Sequence, residues 1–279
     1  MPATKRRLDC YLVEAGLAES RQKAQALILA GQVLINDRPA EKPGLVVPAE
    51  AAVRLRGEAP RYVGRGGFKL EAALREFALD ARNALCLDVG ASTGGFTDCL
   101  LQHGARQVYA VDVGRNQLDW KLRRDPRVIA REGVNARYLT PTDFAERFAI
   151  IVADVSFISL ALILPALSPL ALPEAALVLL VKPQFEVGRA EVGKGGVVRD
   201  ARLHAKAVAG VLEAAARARF TPWRLMASPI LGAEGNREFL LLARYAASPS
   251  PLRPLQADWL RLFPGASFSA QFESLAQSC

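Results

Sequence analysis

The sequence has few of the residues that build metal sites and disulfide frameworks. Its 279 residues include four cysteines and two histidines. The cysteines are scattered without CxxC spacing, and two histidines are too few for a histidine-based metal site. Neither zinc nor a disulfide framework is indicated. We therefore expect no bound metal, and the cysteine usage fits a reducing compartment.

The start of the chain lacks the apolar stretch of a secretory signal. The first residues, MPATKRRLDC, are basic and then turn amphipathic, whereas a signal peptide continues into an apolar segment. We therefore expect a cytoplasmic protein. Apolar residues make up 51% of the chain and charged residues 23%, a balance that allows a buried core along most of the length and argues against disorder.

Acidic residues are outnumbered by basic ones. The chain has 36 lysines and arginines against 28 aspartates and glutamates, a net charge of +8. A basic surface gains affinity for a polyanion by releasing counterions from its phosphates. The charge favours a nucleic acid partner, although many basic proteins bind no nucleic acid.

One apolar run, residues 160–181, is long enough to span a bilayer. Its prolines recur every fourth residue and would interrupt a spanning helix, since each removes a backbone hydrogen bond. They are Pro165, Pro169 and Pro173. We expect a buried helix, a turn and a buried strand here, and no association with a membrane.

The first domain is predicted over residues 1–60, as a small α+β unit. One helix ends at Gly16, and a second is capped by Ser20 and ends at Gly31, because glycine takes the positive φ angle that follows many helices. A strand is expected at Val33 and Ile35, followed by a turn at Asn36 and Asp37 and by one later strand around Val46 and Val53.

The pattern RLDCYLVEAGLAESRQKAQALILAGQVLINDRPAEKPGLVV resembles the S4 domain, an RNA-binding domain of ribosomal proteins and RNA-modifying enzymes. The resemblance implies that one side of the unit faces RNA. For any single residue the alternative is an ordinary solvated helix face or turn. With one arginine of the segment that follows, the candidate RNA-binding residues are Arg6, Ser20, Arg21, Lys23, Asn36, Lys42 and Arg65.

A second domain is predicted over residues 68–245, after a basic, glycine-rich linker at 61–67. Apolar strands alternate with helical stretches, which indicates a parallel sheet covered on both faces. The tail, 246–279, matches no motif, and its structure is left open. The strands are expected at 85–89, 108–112, 128–130, 150–154, 177–181, 223–226 and 239–243.

A glycine-rich stretch, LDVGASTGGFTD, joins the first of these strands to a helix. The dinucleotide-binding pattern GxGxxG is not met, because Ser92 stands at its second glycine, and this lowers the weight of NAD binding. Asp112, at the end of the next strand, is placed to accept hydrogen bonds from a ribose diol. The candidate cofactor-binding residues are Asp88, Gly90, Ser92, Gly94, Gly95, Phe96 and Asp112.

Four charged residues stand where a buried sheet domain should avoid charge, namely Lys69, Asp154, Lys182 and Glu238. Charges beside apolar runs are costly unless they are paired or functional. Asp154 and Lys182 end the fourth and fifth strands, at the edge where such sheets bind ligands. Each alone could be a paired strand-end charge, but together they are a candidate catalytic set.

The glycine loop and this ordered set resemble the FtsJ-like ribose methyltransferases. With the S4-type unit, the segment YVGRGGFKL and the motifs VADVSFISL, VKPQFE and GNREF, nearly the whole chain resembles the TlyA family. The resemblance implies a Rossmann-like α/β fold with a doubly wound, mostly parallel seven-stranded sheet. It also implies S-adenosylmethionine as cofactor and ribosomal RNA or a ribosomal subunit as partner. The acceptor it implies is a ribose 2'-hydroxyl, of cytidine in large-subunit RNA.

The resemblance gives the four charged residues, Lys69, Asp154, Lys182 and Glu238, a shared catalytic role. Lys182 would act on the acceptor hydroxyl, held in place by Asp154 and Glu238. Whether Lys182 accepts the proton or only orients the hydroxyl stays open.

Three other functions are considered. A membrane-active haemolysin is disfavoured by the interrupted apolar run, and an S4-type pseudouridine synthase by the alternation of strands and helices. A non-catalytic RNA-binding or assembly protein of the same fold is disfavoured by the intact charged set.

Overall fold

The computed structural model describes residues 6–35, 38–47, 51, 53–56, 61–232, 234–246 and 253–267. The chain divides into an N-terminal unit, Met1–Arg61, and a C-terminal unit, Tyr62–Cys279. The predicted turn at Asn36 and Asp37 lies outside the described residues, and so does Asn36 as a candidate RNA-binding residue.

Two helices form the larger part of the N-terminal unit, α1 (Leu8–Glu14) and α2 (Arg21–Leu29). Ser20 caps α2, because its side chain accepts a hydrogen bond from the backbone N–H of Lys23 at 3.2 Å. Gly16 and Gly31 follow the two helices with φ angles of +72° and +67°. The predicted ends of both helices are thus confirmed.

The described part of the N-terminal unit also contains five short strands: β1 (Arg6–Arg7), β2 (Val33–Ile35), β3 (Arg38–Pro39), β4 (Val46–Val47) and β5 (Val53–Leu55). β1 pairs with β4, whereas β2 lies between β3 and β5, and all pairs are antiparallel. The single later strand predicted around Val46 and Val53 is therefore two strands in different sheets. Leu8, Leu12 and Ile28 are buried between the helices and strands.

The C-terminal unit is built on a seven-stranded sheet. Its strands are β6 (Leu85–Val89), β7 (Gln107–Asp112), β8 (Val128–Glu132), β9 (Phe148–Ala153), β10 (Ala171–Val181), β11 (Phe220–Ala227) and β12 (Phe239–Tyr245). They lie in the order β11-β12-β10-β9-β6-β7-β8, and β12 is antiparallel to both of its neighbours. This mostly parallel sheet confirms the predicted fold class.

Helices cover both faces of the sheet. On one face lie α3 (Gly66–Glu76), α4 (Gly95–Gln102) and α5 (Trp120–Arg123). On the other lie α6 (Leu164–Leu167), α8 (Ala201–Arg217) and α9 (Arg253–Leu262), while the short α7 (Pro183–Glu186) packs against α8. Because both faces are covered, the central strands are largely apolar, and Asp88 in β6 is a buried charged exception.

The apolar run at 160–181 forms the predicted helix, turn and strand. Two short 3-10 turns flank α6, and the chain then enters β10, whose last seven residues are all buried. Among the described residues, no helix combines the length and apolarity needed to cross a membrane.

Residues 62–67, predicted as a linker, are built into the C-terminal unit. Tyr62 is 1% exposed and packs edge-to-face on Phe68 with ring centroids 5.3 Å apart. The backbone N–H of Val63 donates to Asp98 in α4 at 2.9 Å. A buried aromatic ring and a buried carboxylate fix this segment, which lies against the glycine loop at Thr93 and Gly95.

Part of the tail, whose structure was left open, is the helix α9. Leu255, Trp259 and Phe263 lie one turn apart from each other and are buried in the core. Asp258 accepts hydrogen bonds from Arg224 Nε at 2.7 Å and from the backbone N–H of Leu225 at 3.0 Å. The helix is thereby fixed to β11.

Candidate active site

The carboxyl ends of β6, β7 and β9 open on a cavity of about 560 Å³. Asp112 lies in its wall. One carboxylate oxygen of Asp112 accepts from the backbone N–H of Ser92 at 2.7 Å and the other from that of Gly114 at 2.6 Å. A carboxylate has about four lone-pair sites, so Asp112 keeps acceptor capacity toward the cavity. Such a group suits a ribose diol.

The loop after β6 needs its glycines. Gly90 has a φ angle of +82°, and a Cβ atom there would lie 2.5 Å from the backbone oxygen of Asp154. Gly94 has a φ angle of +97° and is packed against Leu122, so it too excludes a side chain. The close approach of the loop to β9 therefore depends on glycine. Of the other candidates in this segment, Gly95 begins α4 and Phe96 is buried.

A second cavity, of about 320 Å³, adjoins the first. The two share four lining residues, Gly90, Ser92, Asp154 and Ser156. The second is also lined by Arg65, Gly66, Phe96 and Lys182. A molecule in one cavity therefore meets a molecule in the other beside Asp154 and Ser156.

Lys182 reaches the second cavity from the end of β10. Its ammonium nitrogen lies 2.6 Å from Oδ1 of Asp154 and donates to the hydroxyl of Ser156 at 2.8 Å. An ammonium group has three donors and no acceptor. The hydrogen bond to Ser156 uses one donor and the contact with Asp154 is an ion pair, so the ammonium keeps donor capacity for a group in the cavity.

Lys69 and Glu238 form a separate, more deeply buried ion pair. Lys69 Nζ lies 2.5 Å from Glu238 Oε2, and their side chains are 9% and 3% exposed. The start of α3, which carries Lys69, runs beside Asp154, since a Cβ atom at Gly66 would lie 3.7 Å from its Oδ2. Glu238 was expected to hold Lys182 but instead holds Lys69, because α3 brings Lys69 to the start of β12.

Ser156 is a site residue that the sequence interpretation missed. Its hydroxyl must accept the hydrogen bond from Lys182, since the ammonium can only donate, and its own hydrogen is then directed elsewhere. A serine two residues after a candidate catalytic aspartate was the available signal. Ser156 lines both cavities, so it lies where the two bound molecules would meet.

Replacing Ser156 with alanine is expected to lower kcat by about 10- to 100-fold, because a hydrogen bond to a charged group is worth about 1.5–3 kcal/mol. Ser156→Thr keeps the hydroxyl and should recover most of the rate. Steady-state kinetics at saturating substrates measure both variants. A kcat of Ser156→Ala equal to that of the wild type would show that the Lys182 contact has no catalytic effect.

Phe157 also stands out beside the site. It is 91% exposed, and its φ angle of +65° is an outlier for a bulky residue. Its ring lies 5.3 Å from that of Phe185. Backbone strain of this kind persists where the surrounding structure enforces it, and it clusters at ligand-binding sites. The segment is held by Glu186, which accepts from the Ser159 hydroxyl at 2.6 Å and from the Leu160 N–H at 2.8 Å.

Asp88 lies beneath the glycine loop and is fully buried. The Thr97 hydroxyl donates to its Oδ2 at 2.6 Å, while Oδ1 has no hydrogen-bond partner among the described residues. Burial raises the pKa of Asp88 to about 7; the Thr97 hydrogen bond opposes this, and the negative charges of Asp154 and Asp112 add to it. The hydrogen bond between Asp88 and Thr97 thus joins β6 to α4, the two elements that the glycine loop connects.

The free energy of unfolding should depend on pH through Asp88. Its folded-state pKa lies above the value of about 3.9 for an unperturbed aspartate, so the folded protein binds the extra proton between about pH 4 and pH 7. This contribution to stability is present at acidic pH and is lost as the pH rises to about 7, by up to about 1.4 kcal/mol per unit. Asp88→Asn cannot ionise and should remove it. Urea unfolding of both proteins over this range tests the expectation, which a pH-independent difference between them would contradict.

The candidate RNA-binding residues fall into two groups. In the N-terminal unit, Arg6 pairs with Glu14 on the surface at 2.9 Å, Lys23 and Lys42 are exposed, and Arg21 binds Asp9. Ser20 serves as the α2 cap described above.

Arg65 belongs to the C-terminal unit. It donates to the backbone oxygen of Leu231 at 2.8 Å and lines the second cavity. Its place is therefore at the candidate active site, which the linker assignment did not predict.

Comparison with known families matches both units. Residues 62–245 match the family described as FtsJ-like methyltransferase, and residues 6–53 match the S4 domain. Both matches agree with the resemblances drawn from the sequence motifs.

Similar proteins carry two kinds of name. "16S/23S rRNA (cytidine-2'-O)-methyltransferase TlyA" of Mycobacterium tuberculosis is 49% identical over 246 residues, which cover 87% of this chain and 91% of that protein. "Hemolysin A" of Brachyspira hyodysenteriae is 43% identical over 235 residues, covering 84% and 98%. A solved structure, "Putative hemolysin from Streptococcus thermophilus", is 41% identical, covers 98% of both chains and has a TM-score of 0.71.

Proposed function

Since this chain belongs to the TlyA family of FtsJ-like methyltransferases, we propose that it methylates ribosomal RNA. The methyl group would pass from S-adenosylmethionine to a ribose 2'-hydroxyl, of cytidine in the large-subunit RNA. The observation that carries this proposal is the pair of adjoining cavities, which share Asp154 and Ser156 and have Lys182 at their junction.

The first cavity suits S-adenosylmethionine by its chemistry. Asp112 offers acceptors for a ribose diol, and Gly90 lets the backbone approach a ligand without a side chain between them. When bound, this cofactor supplies an electrophilic methyl group. The chain's own task is to hold the acceptor oxygen in line with that group and to manage its proton.

Lys182 is the residue that would act on the acceptor hydroxyl. As an ammonium it would donate an N–H to the 2'-oxygen and stabilise negative charge there, while the hydroxyl proton passes to water; as a neutral amine it would accept that proton itself. Asp154 and Ser156 fix its position in both cases.

The surroundings of the second cavity fit a nucleotide. Arg65 places a positive charge in its wall, where a phosphate can be bound. Phe157 lines the first cavity and follows Ser156, which both cavities share. Its exposed ring offers a face on which a base can stack, a contact that RNA-binding proteins use with unpaired bases. The S4 domain match supports an RNA substrate over a small molecule.

The name "Hemolysin A" of one relative raises membrane lysis as a second candidate function. The Lys182–Asp154 pair at the cavities favours group transfer, since lysis has no use for it. Dye-filled liposomes test the alternative directly. Dye release by purified protein that transfers no methyl group to ribosomal RNA would reverse the order of the two functions.

The proposal is tested by incubating the protein with S-adenosylmethionine labelled in its methyl group and with purified small or large ribosomal subunits. Label is expected in large-subunit RNA, at a cytidine ribose, located by its resistance to alkaline cleavage. Lys182→Met provides the inactive control. Label on a base would exclude ribose as the acceptor. Label in the small subunit alone would exclude large-subunit RNA as the target.

A further inference from the structure

Asp9 is a fully buried carboxylate in the N-terminal unit, outside the proposed catalytic site. Its two oxygens accept five hydrogen bonds. Arg7 donates two of them through Nε and Nη2, at 3.1 and 3.0 Å. The other donors are Arg21 Nε at 2.9 Å, Gln25 Nε2 at 3.0 Å and the backbone N–H of Cys10 at 3.0 Å. These contacts, the Arg7 hydrogen bonds foremost, hold the pKa of Asp9 well below its usual range.

The two arginines are held side by side at the surface. Both donate to Oδ2 of Asp9, which places two positive guanidinium groups around one oxygen atom. Their side chains are 50% and 56% exposed, so each also faces solvent. The Asp9 contact engages only Nε of Arg21 and leaves its two terminal nitrogens for another acceptor.

A third cation is carried by an adjacent loop. The backbone N–H of Asp9 donates to the Pro43 oxygen at 3.1 Å, which ties α1 to the loop that begins with the exposed Lys42. Gly44 in this loop lies against Arg7, since a Cβ atom there would be 3.4 Å from Arg7 Nη1. Arg7, Arg21 and Lys42 carry positive charges against the single negative charge of Asp9, and this excess of positive charge suits an anion.

We propose that Asp9 is a positioning residue for RNA binding, which holds Arg7 and Arg21 together as a site for one backbone phosphate of the RNA. A phosphate has several acceptor oxygens. Arg21 can donate to it through both terminal nitrogens, and Arg7 can donate through Nη1, which does not contact Asp9. The inference rests on the proposed function in taking RNA as the ligand. It adds Arg7 and Asp9 to the residues that the sequence indicated.

The direction in which one substitution changes the Kd for RNA tests this role. Asp9→Asn raises the net charge by one, so long-range electrostatics alone would tighten RNA binding. Loss of positioning predicts the opposite, a Kd raised by about tenfold, because oriented contacts to one phosphate are lost. Glu14→Gln is the matched control, since it adds the same charge on the same helix and frees Arg6 from a solvent-exposed pair. It should bind RNA as tightly as the wild type or slightly tighter.

The measurement is fluorescence anisotropy of a labelled RNA hairpin with the full chain, since phosphate contacts do not depend on sequence. Thermal unfolding reports whether Asp9→Asn stays folded. In case it does not, Arg7→Lys/Arg21→Lys keeps every charge but loses both planar forks, and it should raise Kd by about tenfold as well. A Kd for this double variant equal to that of the wild type would overturn the proposal, as would a folded Asp9→Asn that binds as tightly as Glu14→Gln.

The same proteins are assayed for methyl transfer. If the wild type binds RNA but methylates none, and Asp9→Asn shows the expected loss of RNA affinity, the proposed function is excluded and the phosphate site is supported. Full methylation by the wild type with no change of Kd in the variants would support the proposed function and exclude the phosphate site.

Discussion

Lys182→Met is expected to lower the rate of methyl transfer by about a hundred- to ten-thousandfold while the protein stays folded. Methionine keeps the length and packing of the side chain but removes the donor or base that faces the acceptor oxygen. Asp154, which loses its partner, is 21% exposed and can be hydrated, so the cost to stability should be small. Single-turnover rates at saturating cofactor and RNA, with thermal unfolding beside them, measure the two effects.

Lys206→Met is the control for this result. Lys206 forms an ion pair of the same length, 2.6 Å, with Glu191, but its side chain is 61% exposed and lies in α8. Its replacement should leave the rate unchanged. If Lys182→Met turned over at the rate of Lys206→Met, Lys182 would have no part in the chemistry.

Lys69→Met is expected to destabilise the protein by about 3–5 kcal/mol, because it leaves the carboxylate of Glu238 buried without a partner. The side chain of Glu238 is 3% exposed, so water cannot replace the lost ammonium. Urea unfolding of the wild type and the variant gives the difference in free energy.

The double variant Lys69→Met/Glu238→Gln should recover a large part of this loss, since a neutral amide is far cheaper to bury than a charge. Arg82→Ala breaks an ion pair with Asp80 that is solvent-exposed on both sides, and it should change stability little. A double variant no more stable than Lys69→Met would show that the cost lies in packing and not in the unpaired charge.

The location of the site could be predicted from the sequence. Asp154 and Lys182 each follow an apolar strand, and parallel strands place their carboxyl ends at one edge of the sheet. Gly90 and Asp112 follow the same rule. The contacts of Lys182 could not be predicted in this way, because strand order and side-chain direction decide which carboxylate reaches which lysine.

Two parts of the fold were also beyond sequence patterns. Tyr62 belongs to a glycine-rich stretch typical of linkers, but its ring is buried and packs on Phe68, which makes it part of the C-terminal unit. The helix α9 has its apolar residues one turn apart, a signal that was present in the sequence. Its place on β11 depends on Asp258, whose partners in β11, Arg224 and Leu225, lie more than thirty residues earlier in the chain.

The sequence by itself determined the two-domain order, the alternation of strands and helices, the glycine loop and the strand-end charges, because each is recorded in local periodicity or a short motif. Only the tertiary structure decided that Lys182 binds Asp154 and Ser156, that Lys69 binds Glu238, and that Asp9 gathers Arg7 and Arg21. Hydrogen bonds and ion pairs act over about 3 Å. Which groups come that close depends on how distant segments of the chain pack together, and a local sequence pattern does not determine that packing.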